Sequence, residues 1–542
     1  LTFSFLMPLL TMLSNNSFDS SNFPSVVNNF NDFFLRNFSI NILGNMVNLT
    51  YAIFVIVLTK VTIQFLNIWV SSKISLKAQH FYSLKLYNSY LNRDYAFHVK
   101  KGSSELFRNI IFEVNNFSSV LSQGLSVLLE IGVLLAIFIF SYNLQPKILF
   151  VILMMFLIVS ILFLITKTLI KRQGNVRILW EHRRLATVQN SFDSIKDIIV
   201  YNLSKLFYNS FDVKNRIITN ANFIISVLSS IPRLLLELSA VLVLLVSVMF
   251  FSNSANNGGF EMIGLFLIVA FRSLPAVAKI ASTLQTFVFL KPSVDVVSKE
   301  FFENYKETKK NKVYEKLKFN KEIVFSNVGY SHENKIELLK KLNFKIKKGS
   351  RLGIIGESGH GKSTMINLIL GLLVPTKGKV LIDDQILNKN NMHQWRKNIS
   401  YAGQKIALLN SGVIENIILD RKYEKDKFNK IIKACALENF VKKRLSDKNL
   451  KINIALKISG GEAQRLGIAR ALYNDTNVLI FDESTSAIDK KNEQKILKFI
   501  YSKKSITVLF IAHNMSSLFG CDKIINFYEK GKAKIENNRF RI

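Results

Sequence analysis

Residues 351–373 read RLGIIGESGHGKSTMINLILGLL. An apolar strand, RLGIIG, runs into Gly356-Glu357-Ser358-Gly359-His360-Gly361-Lys362-Ser363-Thr364, and a helix with an apolar face opens on the last of these residues. The nine residues fit G-x-x-x-x-G-K-[ST], in which glycines let successive backbone N–H groups wrap phosphate oxygens. The dipole at the helix start favours the same anion. In this pattern Lys362 reaches the β- and γ-phosphates and Ser363 ligates Mg²⁺. A chance match would lack the strand before and the helix after, and both are present.

Downstream, the apolar run NVLIF ends in Asp482-Glu483, which sets two carboxylates at the C-terminal end of a strand. Asp482 is expected to hold Mg²⁺, directly or through water, and Glu483 to act as general base on the attacking water. Around these two sites IVFSNVGY, KVLIDD and SITVLFIAH read as further strands with helices between them. That alternation is the mark of a soluble α/β domain. A charged linker precedes it, and neither half of the chain shows an internal repeat.

The N-terminal half has different chemistry. The 542 residues allow two or three domains at about 150 residues each, and 49% of them are hydrophobic, with a mean hydropathy of +0.22. The apolar residues gather in Met46–Val70, Val120–Phe140, Ile148–Ile170, Phe223–Phe251 and Met262–Leu290. Each run is near the ~20 residues that a membrane-spanning helix needs. None alternates as a barrel strand would. A sixth piece, LTFSFLMPLLTML at 1–13, is too short to cross alone, so the chain is expected to begin inside its first span. The other reading of that piece is the remnant of a signal peptide. Residues 167–216 carry ten basic and four acidic side chains, and 73–108 are also basic. Residues 14–45 have only Arg36, and 252–261 have no basic residue. The positive-inside rule places the two long basic loops in the cytoplasm, together with the C-terminal half, and six spans satisfy that parity.

The charge balance, 72 basic against 38 acidic residues for a net +34, does not by itself name a partner. Lys far outnumbers Arg, and Asn, Ile and Phe are heavily used, as codon bias in an AT-rich genome produces. A soluble nucleic-acid ATPase is excluded by the spans. Cys435 and Cys521, both in the polar half, cannot form a disulfide framework and suit a reducing compartment.

Further elements of the C-terminal half carry a family resemblance. ISGGEAQR at 458–465 resembles the LSGGQ signature of ATP-binding cassette (ABC) proteins, about twenty residues before the Asp-Glu pair. Ser486-Ala487-Ile488-Asp489 resembles the D-loop, and His513 the switch histidine. Gln404 in YAGQ is similar to the Q-loop glutamine, and Tyr330 in NVGY to the aromatic residue that stacks on adenine. The resemblance implies ATP and Mg²⁺ as ligands, with Ser363, Gln404 and Asp482 around the metal and Glu483, His513 and Gln404 around the reacting water. It implies a homodimer, because in that family Ser459, Gly460 and Gly461 of one subunit close on the ATP held by the loop of the other, with Asp489 in the same segment. Two departures stand out: Glu462 replaces the usual Gln, and LKINIALK replaces an acidic, Gly-rich stretch. A carboxylate facing phosphate is expected to weaken closure by like-charge repulsion.

The expected architecture is therefore of the ABC exporter type. A transmembrane α-helical domain of six spans occupies 1–298, a linker 299–321, and a cytoplasmic α/β P-loop cassette 322–542. Asn92–His98 and Ser194–Tyr201 lie where coupling helices fall in exporters. FLMPLLTMLS, SSIPRLLLELSA, VAFRSLPAVAKI and GESGHGKSTMINLILGLLVPTKGKVLIDDQILN resemble PglK-type flippases, which move lipid-linked oligosaccharides across the bacterial inner membrane for protein glycosylation. In that group a short external helix follows the first span, and NFNDFFLRNFSI at 29–40 occupies its place. Lys60, Arg233 and Arg272 match basic cavity positions that suit a pyrophosphate head group, with Lys60 standing where Arg is typical. Lys279, seven residues beyond Arg272, shares its helix face. A charge inside a span costs about 2.5–3.5 kcal/mol, so it faces a cavity or a partner. The other reading has these helices extending beyond the bilayer, with Arg233 snorkelling or pairing with Glu237. An exporter of peptides, drugs or plain lipids, and a low-turnover ATP-binding membrane regulator, are the alternative functions.

Overall fold

The computed structural model describes residues 46–144, 149–251, 259–305, 315–331, 337–446, 458–511 and 518–538. The expected first span, the external helix at 29–40, LKINIALK and His513 lie outside them. The chain divides into two compact units, one helical and one α/β.

The helical unit is built on α1 (Met46–Leu91), α4 (Val114–Leu144), α5 (Leu149–Asp193), α7 (Ser204–Phe251) and α8 (Gly259–Tyr305), between which lie the short α2 (Tyr95–Lys101), α3 (Ser103–Arg108) and α6 (Ile195–Val200). Each of the five apolar runs falls inside one long helix. Those helices have 46, 31, 45, 48 and 47 residues. At 1.5 Å per residue the longest reach about 70 Å, more than twice a bilayer's ~30 Å hydrocarbon core. The polar residues beyond each apolar run therefore continue the helix. Five stretches among the described residues are long and apolar enough to cross a membrane, from Thr50–Leu91 to Val269–Phe302. Phe54, Val61, Phe65 and Ile68 of α1 are exposed, a surface that suits lipid and not water.

Helix α8 is the hub of this unit and packs on α4, α5 and α7. Its small residues Ala270, Ala276, Ala278 and Ala281 are buried beside Leu134, Met155 and Leu236, which lets the backbones approach closely. A Cβ on Gly174 of α5 would overlap the Phe289 carbonyl of α8, so glycine is required there. A polar knot lies near this contact. A π-helical turn, Asn109–Glu113, joins α3 to α4 and buries Glu113 completely. Glu113 faces Arg108 Nε at 3.6 Å and Arg177 Nη2 at 3.5 Å, and Arg177 Nη2 donates to Ser293 Oγ at 2.6 Å.

The α/β unit has two sheets. β1 (Glu322–Ser331), β2 (Glu337–Lys347), β4 (Lys377–Ile382) and β5 (Gln385–Ile386) form an antiparallel sheet in the order β2-β1-β4-β5. β3 (Arg351–Gly356), β6 (Ile399–Ala402), β7 (Val478–Asp482), β8 (Thr507–Ile511), β9 (Lys523–Glu529) and β10 (Lys532–Asn537) form the second, in the order β10-β9-β3-β8-β7-β6. In the second sheet β3, β6, β7, β8 and β9 run parallel, with Ile354 and Asp482 both registered on Ile511. Their C-terminal ends therefore share one edge, where ligands of open parallel sheets bind. The helices of this unit are α9 (Lys362–Ile369), α10 (Met392–Arg396), α11 (Val413–Ile418), α12 (Lys425–Ala434), α13 (Glu438–Ser446), α14 (Gly460–Tyr473) and α15 (Lys490–Ser502). The expected linker at 299–321 begins inside α8, which continues to Tyr305 because its charged end still propagates the helix.

Candidate nucleotide site

Strand β3 ends at Gly356, and the chain turns through Glu357–Gly361 into α9. Gly356, Gly359 and Gly361 have φ of 145°, 82° and 106°, values that L side chains rarely adopt. Two of them are also boxed in. A Cβ on Gly356 would lie 2.6 Å from Phe527 Cβ, and one on Gly361 would lie 2.9 Å from the Leu338 carbonyl. Gly359 has open space around it, which leaves the exposed backbone of Glu357, Ser358 and Gly359 free to approach a ligand. Lys362 is 9% exposed and its Nζ donates to the Gly356 and Glu357 carbonyls at 2.5 and 2.9 Å. The ammonium thus lies within the loop's own curve. His360 props the loop, with Nδ1 3.3 Å from the Phe527 carbonyl and Nε2 3.3 Å from Glu357 Oε2. Ser363 is exposed and Thr364 half-buried at the start of α9.

At the same sheet edge, β7 ends in Asp482 and Glu483. Asp482 Oδ2 accepts a hydrogen bond from the Tyr401 hydroxyl at 3.1 Å. Burial pushes the Asp482 carboxyl above its ordinary range and Glu483 adds to this, while Tyr401 and Lys362 pull against it. Burial and then the Asp482 charge push the Tyr401 hydroxyl up in turn. Glu483 has φ +50°, a left-handed conformation costing roughly 1–2 kcal/mol in a non-glycine residue. Its N–H donates to the Ile511 carbonyl at 3.0 Å, and its Oε2 accepts from Gln404 Nε2 at 2.8 Å. Strain held in place by neighbours recurs at functional sites. Four of the expected residues, Lys362, Gln404, Asp482 and Glu483, thus stand at one edge.

Among the described residues no group of three or more His, Cys, Asp or Glu is placed to hold a metal ion. The oxygen donors Ser363, Gln404 and Asp482 nevertheless suit Mg²⁺, which takes one or two carboxylates together with substrate phosphates. The metal would supply charge neutralisation to the phosphates there.

The signature segment lies on a helix start. Ser459 is the N-cap of α14, and Glu462 closes a capping box with it. Ser459 N–H and Oγ each donate to Glu462 Oε2 at 2.9 Å, and Glu462 N–H returns to Ser459 Oγ at 3.2 Å. Glu462 is therefore a structural cap whose carboxylate folds back on its own helix. Gly460 has room, but a Cβ on Gly461 would lie 2.7 Å from the Ala487 carbonyl. Gly461→Ala is expected to destabilise the cassette by about 1–3 kcal/mol, as overpacking does, read as a lower thermal midpoint of the full chain in detergent. Asp489 caps α15 through Asn492, and that hydrogen bond holds its carboxyl below the usual range. Tyr330 is 8% exposed and packed in the core, which leaves an incoming base little of its ring to stack on.

Three residues of this site were not legible in the sequence. Tyr401 precedes Gln404 by three positions, and Gln464 and Arg470 look like ordinary polar positions of a helix. Their partners, Asp482, Ser486 and Asn416, are remote in the chain. The three cations expected in the helical unit are placed unlike one another. Lys60 is exposed on α1 and Arg272 is half-buried on α8. Arg233 Nε pairs with Glu237 Oε1 at 2.8 Å on an exposed face of α7, the second of the two readings given for it. Lys279 is exposed on α8.

The family model described as ABC transporter matches residues 339–486. The lactococcin-G-processing and transport ATP-binding protein LagD of Lactococcus lactis subsp. lactis is 32% identical over 215 residues, 38% of this chain and 30% of that protein. The mitochondrial iron-sulfur clusters transporter ATM1 of Kluyveromyces lactis is 34% identical over 227 residues, 40% of this chain and 30% of that protein. The matches cover about a third of the length of such relatives. A solved bacterial Atm1-family ABC exporter with ATP bound is similar with a TM-score of 0.74 at 19% identity, over 98% of this chain and 91% of that one. The chain thus has the ABC exporter fold, a helical transmembrane domain followed by a C-terminal ATP-binding domain, and residues 339–486 place that second domain in the ABC transporter family.

Proposed function

We propose that this chain is one half of an ATP-driven exporter that acts as a homodimer in the bacterial inner membrane. Its cargo in this reading is a lipid-linked oligosaccharide, a polyprenyl-pyrophosphate glycan, moved outward for protein glycosylation. The observation that carries the ATPase part is the meeting of Lys362, Gln404, Asp482 and Glu483 at one sheet edge. In the reaction a water oxygen attacks the γ-phosphorus, the bond to the bridging oxygen of ADP breaks, and Glu483 takes the proton of the water. Lys362 exchanges its two carbonyl partners for phosphate oxygens. Gln404 holds Glu483 and orients the water. Ser459 and Gly461 of a second copy complete the site, with His513 as the expected switch residue and Tyr330 as the expected neighbour of the base.

The cargo reading is supported by cations on the long helices, Lys60 on α1 and Arg272 on α8, which suit a pyrophosphate. One observation favours a second reading, export of peptides or other hydrophobic compounds: Arg233 is spent on Glu237 and is not a free cation for a head group. The test is ATP-dependent translocation of a polyprenyl-pyrophosphate oligosaccharide in proteoliposomes, with Glu483→Gln as control. The parent is expected to flip it. Lys60→Ala with Arg272→Ala is expected to lower flipping by about tenfold, as the loss of one charged contact of ~1.4 kcal/mol does, with ATP hydrolysis kept. Robust hydrolysis without flipping would sink the cargo and leave the ATPase, while a parent without hydrolysis would favour the low-turnover regulator.

A further inference from the structure

One face of α14 holds both segments that flank the carboxylate of Glu483. Gln464, Gly467 and Arg470 are spaced by three residues and share that face. Gln464 Nε2 donates to Ser486 Oγ at 3.0 Å, and Ala487 N–H donates to Gln464 Oε1 at 2.7 Å. Gly467 is buried, and a Cβ on it would overlap Ile406 Cδ1. The missing side chain is the seat for Ile406, two residues after Gln404. Arg470 then takes three oxygens at once. Its Nη1 donates to the Ala407 carbonyl at 2.9 Å, its Nε to the Asn416 carbonyl at 2.8 Å, and its Nη2 to Asn416 Oδ1 at 3.0 Å. Fully buried Asn416 fastens the end of the same segment by exchanging hydrogen bonds with Leu409 at 2.9 and 3.0 Å.

These contacts form a closed ring. From Glu483 it runs through Gln404 to Ile406 and Ala407, across α14, and back through Gln464 to Ser486, whose N–H lies 3.3 Å from the Glu483 carbonyl. We propose that Gln464, Gly467 and Arg470 form a positioning face on α14 that sets Gln404 against Glu483, so that hydrolysis depends on it and nucleotide binding does not. This rests on the ATPase reading above. The phosphate loop, Gly356–Lys362, lies outside the ring, which is why binding and turnover separate.

The test uses the full chain in lipid nanodiscs, with phosphate release for kcat and a fluorescent ATP analogue for affinity. Gly467→Ala is expected to lower kcat by about tenfold or more, as an ångström-scale misplacement of reacting groups does, at unchanged affinity. Ile406→Ala, which empties the seat without overlap, is expected to lower kcat severalfold. The double variant is expected to return from the Gly467→Ala value to that of Ile406→Ala. Arg470→Lys, which keeps the charge but not the three-way fork, follows the Ile406→Ala result. If Gly467→Ala is too unstable to assay, full turnover in Ile406→Ala and Arg470→Lys overturns the proposal. A fall in affinity parallel to kcat, or a double variant no better than Gly467→Ala, also overturns it. A parent that binds ATP without turnover sinks the ATPase reading itself, an outcome visible before any variant is made.

Discussion

Exchange of Glu483 for Gln is expected to reduce ATP turnover by about 10²–10⁴-fold, the usual contribution of a positioned general base, and to leave ATP binding intact. The amide has nearly the shape of the carboxylate and keeps an oxygen to accept the Gln404 hydrogen bond, now 2.8 Å long. What it loses is the capacity to take a proton from water. The left-handed backbone at 483 is held by the Ile511 carbonyl through the main chain, so the substitution leaves that constraint untouched. Lys362 gives the opposite pattern, because its ammonium lies inside the loop that wraps the phosphates and its removal takes binding away. Phosphate release and binding of a fluorescent ATP analogue, measured on one preparation, separate the two. If Glu483→Gln lost binding and turnover equally, Glu483 would be a strut of the loop edge and not a base.

Why these two residues were readable from the chain, and others not, follows from the range of the forces that place them. A phosphate loop needs three positive φ values within six residues, so its glycines are local and visible. NVLIF buries all its side chains between layers and therefore shows as an unbroken apolar run. The five long helices were legible as spans because lipid demands apolar side chains, but their ends were not, since in water a polar sequence continues a helix as readily as it ends one. Strand β2, ELLKKLNFKIK, was missed for a related reason. Leu342, Phe344 and Ile346 face the core while Lys341, Asn343, Lys345 and Lys347 face out, and so many lysines mask the alternation. Glu462 is the instructive case. Read as a sequence departure it faces phosphate, whereas the pattern Ser-x-x-Glu at a helix start is also a capping box, and that local geometry decides where the carboxylate points. The contacts of Tyr401, Gln464 and Arg470 join segments 22–81 residues apart, and no single-chain pattern encodes such pairs.

The other large effect is expected in the helical unit. Glu113→Ala should lower the stability of that unit by about 3–5 kcal/mol, the range for removing one partner of a buried ion pair. Glu113 is fully buried, while Arg108 and Arg177 are 8% and 7% exposed. With the carboxylate gone, two guanidinium groups would face each other without a counter-charge. Neither can withdraw. Arg108 Nη1 is held by the Ile178 carbonyl at 3.1 Å and its Nη2 by Asn109 Oδ1 at 2.7 Å. Arg177 lies against the Phe289 ring, 5.4 Å from its centroid, with Nη2 on Ser293. Asn109 in turn donates to the Tyr90 hydroxyl at 3.1 Å, so the knot ties α1, α5 and α8 to the π-helical turn. The close approach of Gly174 to Phe289 fixes the backbones on which these side chains stand. Because a whole buried pair can be replaced by apolar residues at little net cost, Glu113→Leu combined with Arg177→Leu is expected to be more stable than Glu113→Ala. Thermal unfolding of the full chain in detergent reads both, with ATP-analogue binding as the check that the cassette is unaltered. A single variant as stable as the parent would mean that the two arginines reach water, and that the knot orders the helices without holding them together.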